Sequence, residues 1–253
     1  NSFEEHLADV EAVLERLELA GLKARPQKCN FFVKEVHLLG HVVTPEGVKP
    51  DPLKTKAVKE WPKPRDAKEM VSFLAFCNFY RRFIKGFSEV AYPLQKLTHD
   101  GVEWEWKEPQ REAFEALKQA LCSEPVMKMP DVSKPWVLDS DWSRRGIAWV
   151  LQQEGDDGKL HPVLYGSRSL TKSEQRYGST RGEFLAMFEG IQNCRHYLLN
   201  GDFCCRVDNK ALTYLKSYKD LTHRTARALE LLADYGDFGI KYIQGKKNIP
   251  ADC

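Results

Sequence analysis

The chain has 253 residues, 42% of them hydrophobic and 29% charged. That balance belongs to a globular protein long enough to bury a real core, and it excludes collagen-like, disordered and supercharged classes. A net charge of +2, from 38 basic and 36 acidic residues, announces no nucleic-acid partner for the chain as a whole, so any basic surface has to be local.

From Glu4 to Ala20 the residues Leu7, Val10, Leu14 and Leu17 recur at helical spacing, and Gly21 sits where a helix stops. Phe31-Phe32-Val33 and the stretch Val36 to Val43, broken by Gly40, read as short strands of a hairpin that ends at Pro45-Glu46-Gly47. Pro45, Pro50, Pro52, Pro62 and Pro64 mark a connector with a short helix inside. Asp66-x-x-Glu69 then resembles a capping box. Behind it Met70, Phe73, Leu74, Cys77 and Ile84 share one helical face, with Arg81 and Arg82 near its end. A further helix spans about Gln110 to Leu121.

A second proline cluster, Pro125, Pro130 and Pro135, marks the best boundary, because beyond it helices give way to strands. The division predicted is 1–50, 51–132 and 133–253. Trp136 to Asp141, Gly146 to Gln152 and His161 to Ser167 read as three strands, followed by a helix over about Thr180 to Leu199. Phe203 to Asp208 is a fourth strand, Ala211 to Leu215 and Thr222 to Tyr235 are helical, and Phe238 to Ile243 is a fifth strand. The fold class is therefore α/β (α+β): a small helical segment with a hairpin, then a mixed five-stranded sheet with flanking helices. No run approaches a membrane span and no signal-peptide pattern opens the chain, so the expectation is an intracellular protein with no membrane partner. Seven cysteines, odd in number and without a C-x-x-C pair, read as reduced thiols rather than a disulfide framework or structural zinc.

Four acids in the second half fall at telling places. Asp141 ends the first strand of that half, Glu183 lies in the first turn of the long helix, Asp208 ends the fourth strand, and Asp252 follows the fifth. Each has a plain alternative: Asp141 with Ser143 as a turn, Thr180-x-x-Glu183 as a capping box, Asp208-Asn209 as a helix cap. Together they favour convergence, since strand ends on one edge and a helix start meet in such folds, and the apolar residues Val137, Leu138 and Val207 place two of the acids on buried strands. Convergent carboxylates need hard cations, with Mg²⁺ the natural partner and Mn²⁺ its substitute. Two such ions about 4 Å apart suit an in-line phosphodiester displacement, which is nuclease chemistry.

These residues resemble the reverse transcriptase with appended RNase H domain of gypsy-like long-terminal-repeat retrotransposons, over almost the whole chain. His37-Leu38-Leu39-Gly40-His41-Val42-Val43 with Pro45-Glu46-Gly47 resembles the family's primer-grip hairpin at the end of the palm. Phe73 through Ile84 (FLAFCNFYRRFI) resembles its FLGLxxYYRRFI thumb segment. Pro162 to Leu170 resembles PVAYASRxL, Asp208 to Leu212 resembles TDHKAL, and Asn248 to Asp252 resembles NxxADALSR cut short. The resemblance implies a palm tail over 1–50, a thumb over 51–132 and an RNase H domain over 133–253, with Asp141, Glu183, Asp208 and Asp252 as catalytic metal ligands. It also implies cleavage of the RNA strand of RNA–DNA hybrids, leaving 3′-hydroxyl and 5′-phosphate ends. The template–primer duplex and the rest of the polymerase are the other expected partners, in a cytoplasmic particle or the nucleus. The family's Y-x-D-D motif is expected upstream of Asn1, the chain being a piece of a longer polypeptide.

Departures from the family pattern sit beside the expected ligands. Trp142 and Trp149 stand where DASxxGIGAVL has small residues, Gly182 and Arg181 fall in the segment that reads STTEKE in relatives, and Tyr242 to Lys247 lacks the histidine that many RNase H domains carry before the fourth acid. His223 is the nearest histidine. An indole beside Asp141 either stacks on a nucleotide or blocks close approach of the backbone.

Between residues 51 and 100 ten Lys or Arg face six Asp or Glu, interleaved with aromatics, a pattern that suits a backbone-tracking surface. Arg81, Arg82 and Lys85 are the expected contacts there, with Ser179, Thr180 and Asn209 expected near a phosphate at the helix start. Two rival readings remain: a domesticated or inactive remnant that binds nucleic acid without turnover, and an integrase-like core. The thumb and primer-grip strings argue against the second.

Overall fold

The computed structural model describes residues 2–123, 126–199, 201–217 and 223–244. Helix α1 (Phe3–Leu19) opens with a reciprocal capping box between Ser2 and Glu5. None of its residues is buried, and Leu7 and Leu14 stand exposed. The expected strand at Phe31-Phe32-Val33 does not form. Phe32 has φ +56°, outside the extended region, and its ring stacks on Phe3 with centroids 4.7 Å apart, so these aromatics cover α1 instead of pairing with a neighbour.

Strands β1 (Val36–Leu38) and β2 (His41–Thr44) make the hairpin. Its two turn residues, Leu39 and Gly40, both carry positive φ, as a two-residue hairpin requires. The Pro45-Glu46-Gly47 turn does not end the sheet as expected; it feeds a third strand, β3 (Gly47–Pro50), antiparallel to β2. Val48 exchanges two backbone hydrogen bonds of 2.8 Å with Met127, which ties the hairpin to the start of the second half.

The first hydrophobic core is helical. It joins α2 (Pro52–Lys59), α3 (Ala67–Phe79), α4 (Phe87–Lys96) and α5 (Glu108–Cys122). Asp66 caps α3 by accepting the Glu69 N–H, while the Glu69 carboxylate turns back to the Arg65 N–H, one residue earlier than a strict capping box. The helix stops at Tyr80 and a 3₁₀ turn follows over Arg81–Phe83. Ile84, expected on the helical face, therefore lies past its end, yet it is buried with Met70, Phe73 and Cys77. Helix α4 is absent from the sequence reading because Pro93 lies inside it. Burial of Phe87, Ala91 and Leu94 at helical spacing outweighs the lost backbone bond.

The second core lies under a five-stranded mixed sheet. Its strands are β4 (Trp136–Trp142), β5 (Gly146–Glu154), β6 (Leu160–Ser169), β7 (Phe203–Val207) and β8 (Gly239–Tyr242), in the order β6-β5-β4-β7-β8. The β4–β5–β6 meander is antiparallel, and β7 and β8 add parallel to β4. Helices α6 (Ser179–Asn193), α7 (Arg195–Leu198) and α8 (His223–Ala233) complete the architecture expected from the sequence. Residues 211–215 are wound as part of a 3₁₀ helix, Lys210–Ser217, rather than an α-helix.

The two cores meet along β6, an edge strand of this sheet. Arg81 donates to the Ser167 carbonyl, Arg82 donates to that of Val163 at 3.5 Å, the Ser88 N–H donates to Ser167 Oγ at 3.0 Å, and the Lys128 N–H donates to the Pro162 carbonyl at 2.8 Å. An edge that would otherwise offer unpaired carbonyls is thus covered.

Inside the sheet, Asp139 on β4 is fully buried and not anticipated from sequence. Arg206, its register partner on β7, grips both of its oxygens, and Gln152 on β5 donates to Oδ2 at 2.7 Å. Removing one member of a buried ion pair leaves the other uncompensated, so Arg206→Met is expected to cost about 3 kcal/mol of stability. Urea denaturation of the full chain checks this. A loss below about 0.5 kcal/mol would mean that the pair contributes little.

Candidate active site

Three elements that are distant in sequence deliver carboxylates to one point. Asp141 comes from the end of β4, Glu183 from α6, and Asp208 from the residue that follows β7. One oxygen from each lies within 4.8 Å of the others. Asp141 is 8% exposed and Glu183 5%. Asp252, the fourth acid of the sequence reading, lies outside the described residues.

The plain local roles open to these acids are taken by their neighbours. Ser143 Oγ accepts the Arg145 and Gly146 N–H groups and so closes the turn after β4. Gly178 is the N-cap of α6, so the alternative role of Glu183 in a capping box with Thr180 is not taken up. The helix begins at Ser179, which makes Glu183 its fifth residue, in the second turn rather than the first. Asn209 Oδ1, not Asp208, accepts the Ala211 N–H at 3.0 Å, and Asn209 Nδ2 donates to Thr180 Oγ1 at 3.1 Å, which links the end of β7 to the start of α6. The three carboxylates face one another.

The electrostatic result is concentrated on Glu183. Burial, then the charges of Asp208 and Asp141, push its carboxyl up to about 9, against a smaller opposing pull from the Trp142 backbone N–H. Its Oε2 is buried with no hydrogen-bond partner. An orphaned oxygen among three carboxylates is a donor set that suits a hard divalent cation, which would neutralise the repulsion and satisfy the open lone pairs.

Around the site, both unusual tryptophans are packed against glycine. A Cβ at Gly182, one residue before Glu183, would stand 2.3 Å from the Trp142 ring, and one at Gly166 would stand 2.2 Å from that of Trp149. Gly190 on α6 gives Trp149 its remaining clearance, at 3.2 Å. Trp149 is buried and Trp142 half-buried. Sequence reasoning saw the indoles but not the glycines that receive them. The available signal was two glycines inside a helix, where they are costly unless something approaches closely.

Of the expected nucleic-acid contacts, Ser179, Thr180 and Lys85 are exposed and Asn209 is half-buried. Arg81 and Arg82 aim their guanidinium groups at β6 carbonyls, as described above. Arg81 also donates to Asn78 at 3.2 Å and lies over the Phe87 ring, and Arg82 lies over Phe83.

Residues 106–205 match the family described as the RNase H-like domain found in reverse transcriptase. The chain carries that RNase H-like domain. It is 35% identical over its whole length to the retrovirus-related Pol polyprotein from transposon 297 of Drosophila melanogaster, of which it covers 23%. It is 36% identical over 92% of its length to the Pol polyprotein from transposon 412 of the same species, covering 19% of it, and 32% identical over 98% to the transposon Tf2-3 polyprotein of Schizosaccharomyces pombe, also covering 19%. The chain thus spans less than a quarter of these relatives. The fold extends to a foamy viral protease-reverse transcriptase solved in complex with an RNA/DNA hybrid, with a TM-score of 0.76 at 23% identity over 97% of this chain and 34% of that one. Among the described residues, no helix is long and apolar enough to cross a membrane.

The raised carboxyl of the RNase H-like domain has a measurable consequence. Because folding lifts Glu183 from near 4.5 to about 9, the folded chain binds more protons than the unfolded chain across that window. This contribution to stability is complete below pH 4.5 and is lost as the pH rises toward 9. In EDTA, Glu183→Gln is expected to flatten the decline of stability between pH 5 and 9 relative to the parent chain, and urea titrations at several pH values check it. Parallel curves would overturn this account of Glu183.

Proposed function

We propose that this chain is the C-terminal part of a gypsy-like retrotransposon reverse transcriptase, with palm tail at 1–50, thumb at 51–132 and RNase H at 133–253, and that its own chemistry is Mg²⁺-dependent cleavage of the RNA strand of RNA–DNA hybrids. The observation that carries this reading is the convergence of Asp141, Glu183 and Asp208 within 4.8 Å from three separate elements, with no structural partner assigned to Glu183 Oε2. Surface acids gather without purpose; acids buried in mutual contact do not.

In this reading Asp141 and Asp208 hold a pair of Mg²⁺ ions, and Glu183 and Asp252 complete the set. Bound Mg²⁺ supplies the Lewis acidity for in-line hydrolysis of a phosphodiester. Glu183, whose carboxyl is raised by burial and then by the neighbouring charges, would serve as an ionised ligand in a loaded site, since a divalent cation favours the carboxylate form. Asp141, fixed at the end of a central strand, orients the site with little freedom to rearrange.

Ser179 and Thr180, exposed at the start of α6, offer hydroxyl and amide donors to a phosphate of the hybrid, with Asn209 holding Thr180 in place. Lys85 adds a cation on the helical half. Such contacts read the A-like shape and backbone of the hybrid, so little sequence preference is expected. Arg81 and Arg82 serve the seam instead. The full element's polymerase and its place in an intracellular particle belong to this same proposal.

The test uses a labelled hybrid in Mg²⁺ and in EDTA. Asp141→Asn and Asp208→Asn are expected to lower cleavage about a thousandfold or more while leaving hybrid binding within a few-fold of the parent, because each removes several kcal/mol of charge stabilisation. Unchanged Mg²⁺-dependent cleavage in either variant would sink the assignment. Binding without cleavage in the parent chain would favour the inactive-remnant reading.

A further inference from the structure

We propose that Trp142 is a positioning residue for the carboxylate site: its indole rests on the backbone of α6 at Gly182, and that contact sets how closely Glu183 approaches Asp141. The inference rests on the metal-site reading above and adds a specific device to it.

Trp142 directly follows Asp141 on β4, and Gly182 directly precedes Glu183 on α6. The two ligands are thus joined, through one intervening pair of residues, by a contact so close that a methyl group at 182 would lie 2.3 Å from both Cδ2 and Cε2 of the ring and 2.5 Å from Cγ. These atoms belong to the fused part of the indole and its root, not to the far end of a flexible chain. The Trp142 backbone N–H also lowers the proton affinity of the Glu183 carboxyl, so the strand acts on the helix through its main chain as well as through the ring. A large residue on the strand and a missing one on the helix are complementary halves of one spacer.

A filler and a positioning residue are separated by what the site binds rather than by how stable the chain is. With Mn²⁺ as the probe, the affinity of the full chain is measured by calorimetry or electron paramagnetic resonance for the parent, Trp142→Ala, Gly182→Ala, the double variant and Asp141→Asn, alongside thermal midpoints without metal. Residues that orient ligands are typically worth about ten- to a hundredfold in metal affinity, so Trp142→Ala is expected to weaken Mn²⁺ binding about tenfold. Gly182→Ala, which pushes helix and ring apart, is expected to weaken it further. Combining the two relieves the clash, so the double variant binds Mn²⁺ more tightly than Gly182→Ala alone.

Two results overturn the proposal: Mn²⁺ affinity within twofold of the parent for Trp142→Ala, whatever its thermal midpoint, or strictly additive losses in the double variant. Asp141→Asn keeps the two levels apart. If it retains Mn²⁺ affinity the metal site itself is refuted; if it loses affinity while Trp142→Ala does not, only the positioning role falls.

Discussion

Carboxylates brought within 4.8 Å of one another in a partly dehydrated place repel strongly, and the backbone has to hold them there against that repulsion. Much of the second half of the chain can be understood as the means of doing so. Asp141 and Asp208 sit at the ends of β4 and β7, adjacent parallel strands whose ladder fixes their separation. Glu183 arrives on a helix whose buried face, with Ala186, Met187, Gly190 and Ile191, is packed into the core. The small tasks of turn closure and capping go to Ser143, Gly178 and Asn209. Burial, together with the repulsion that remains, appears as the high proton affinity of Glu183.

The same two strands carry a second acid–base arrangement with the opposite outcome. Asp139 is more deeply buried than Asp141, yet Arg206 and Gln152 satisfy it. Two acids separated by one residue on β4 thus meet contrasting surroundings: Asp139 is neutralised by Arg206, while Asp141 is gathered with Glu183 and Asp208. This contrast is a sharper functional signal than acidity or burial taken alone.

Much of this was legible in the sequence. Runs rich in β-branched and aromatic residues, bounded by turn signals, located all five strands of the larger sheet to within a few residues. The three described acids were found by their place after apolar strand residues or near a helix start. What escaped has physical causes. Helix α4 was hidden by Pro93, whose cost is met by tertiary burial that no local pattern reveals. Phe31–Val33 has strand composition but stacks on α1. The Asp139–Arg206 pair joins residues 67 positions apart, and the glycines beneath Trp142 and Trp149 signify close approach only when the opposing surface is known. Arg81 and Arg82 looked like phosphate contacts because sequence shows charge without showing direction.

Their direction gives the edge of β6 a further meaning. A strand whose outer carbonyls are occupied by guanidinium groups and backbone amides from the helical half has no free rim on which another chain can template itself along that stretch. The helical half therefore also closes this margin of the sheet, the opposite margin being β8.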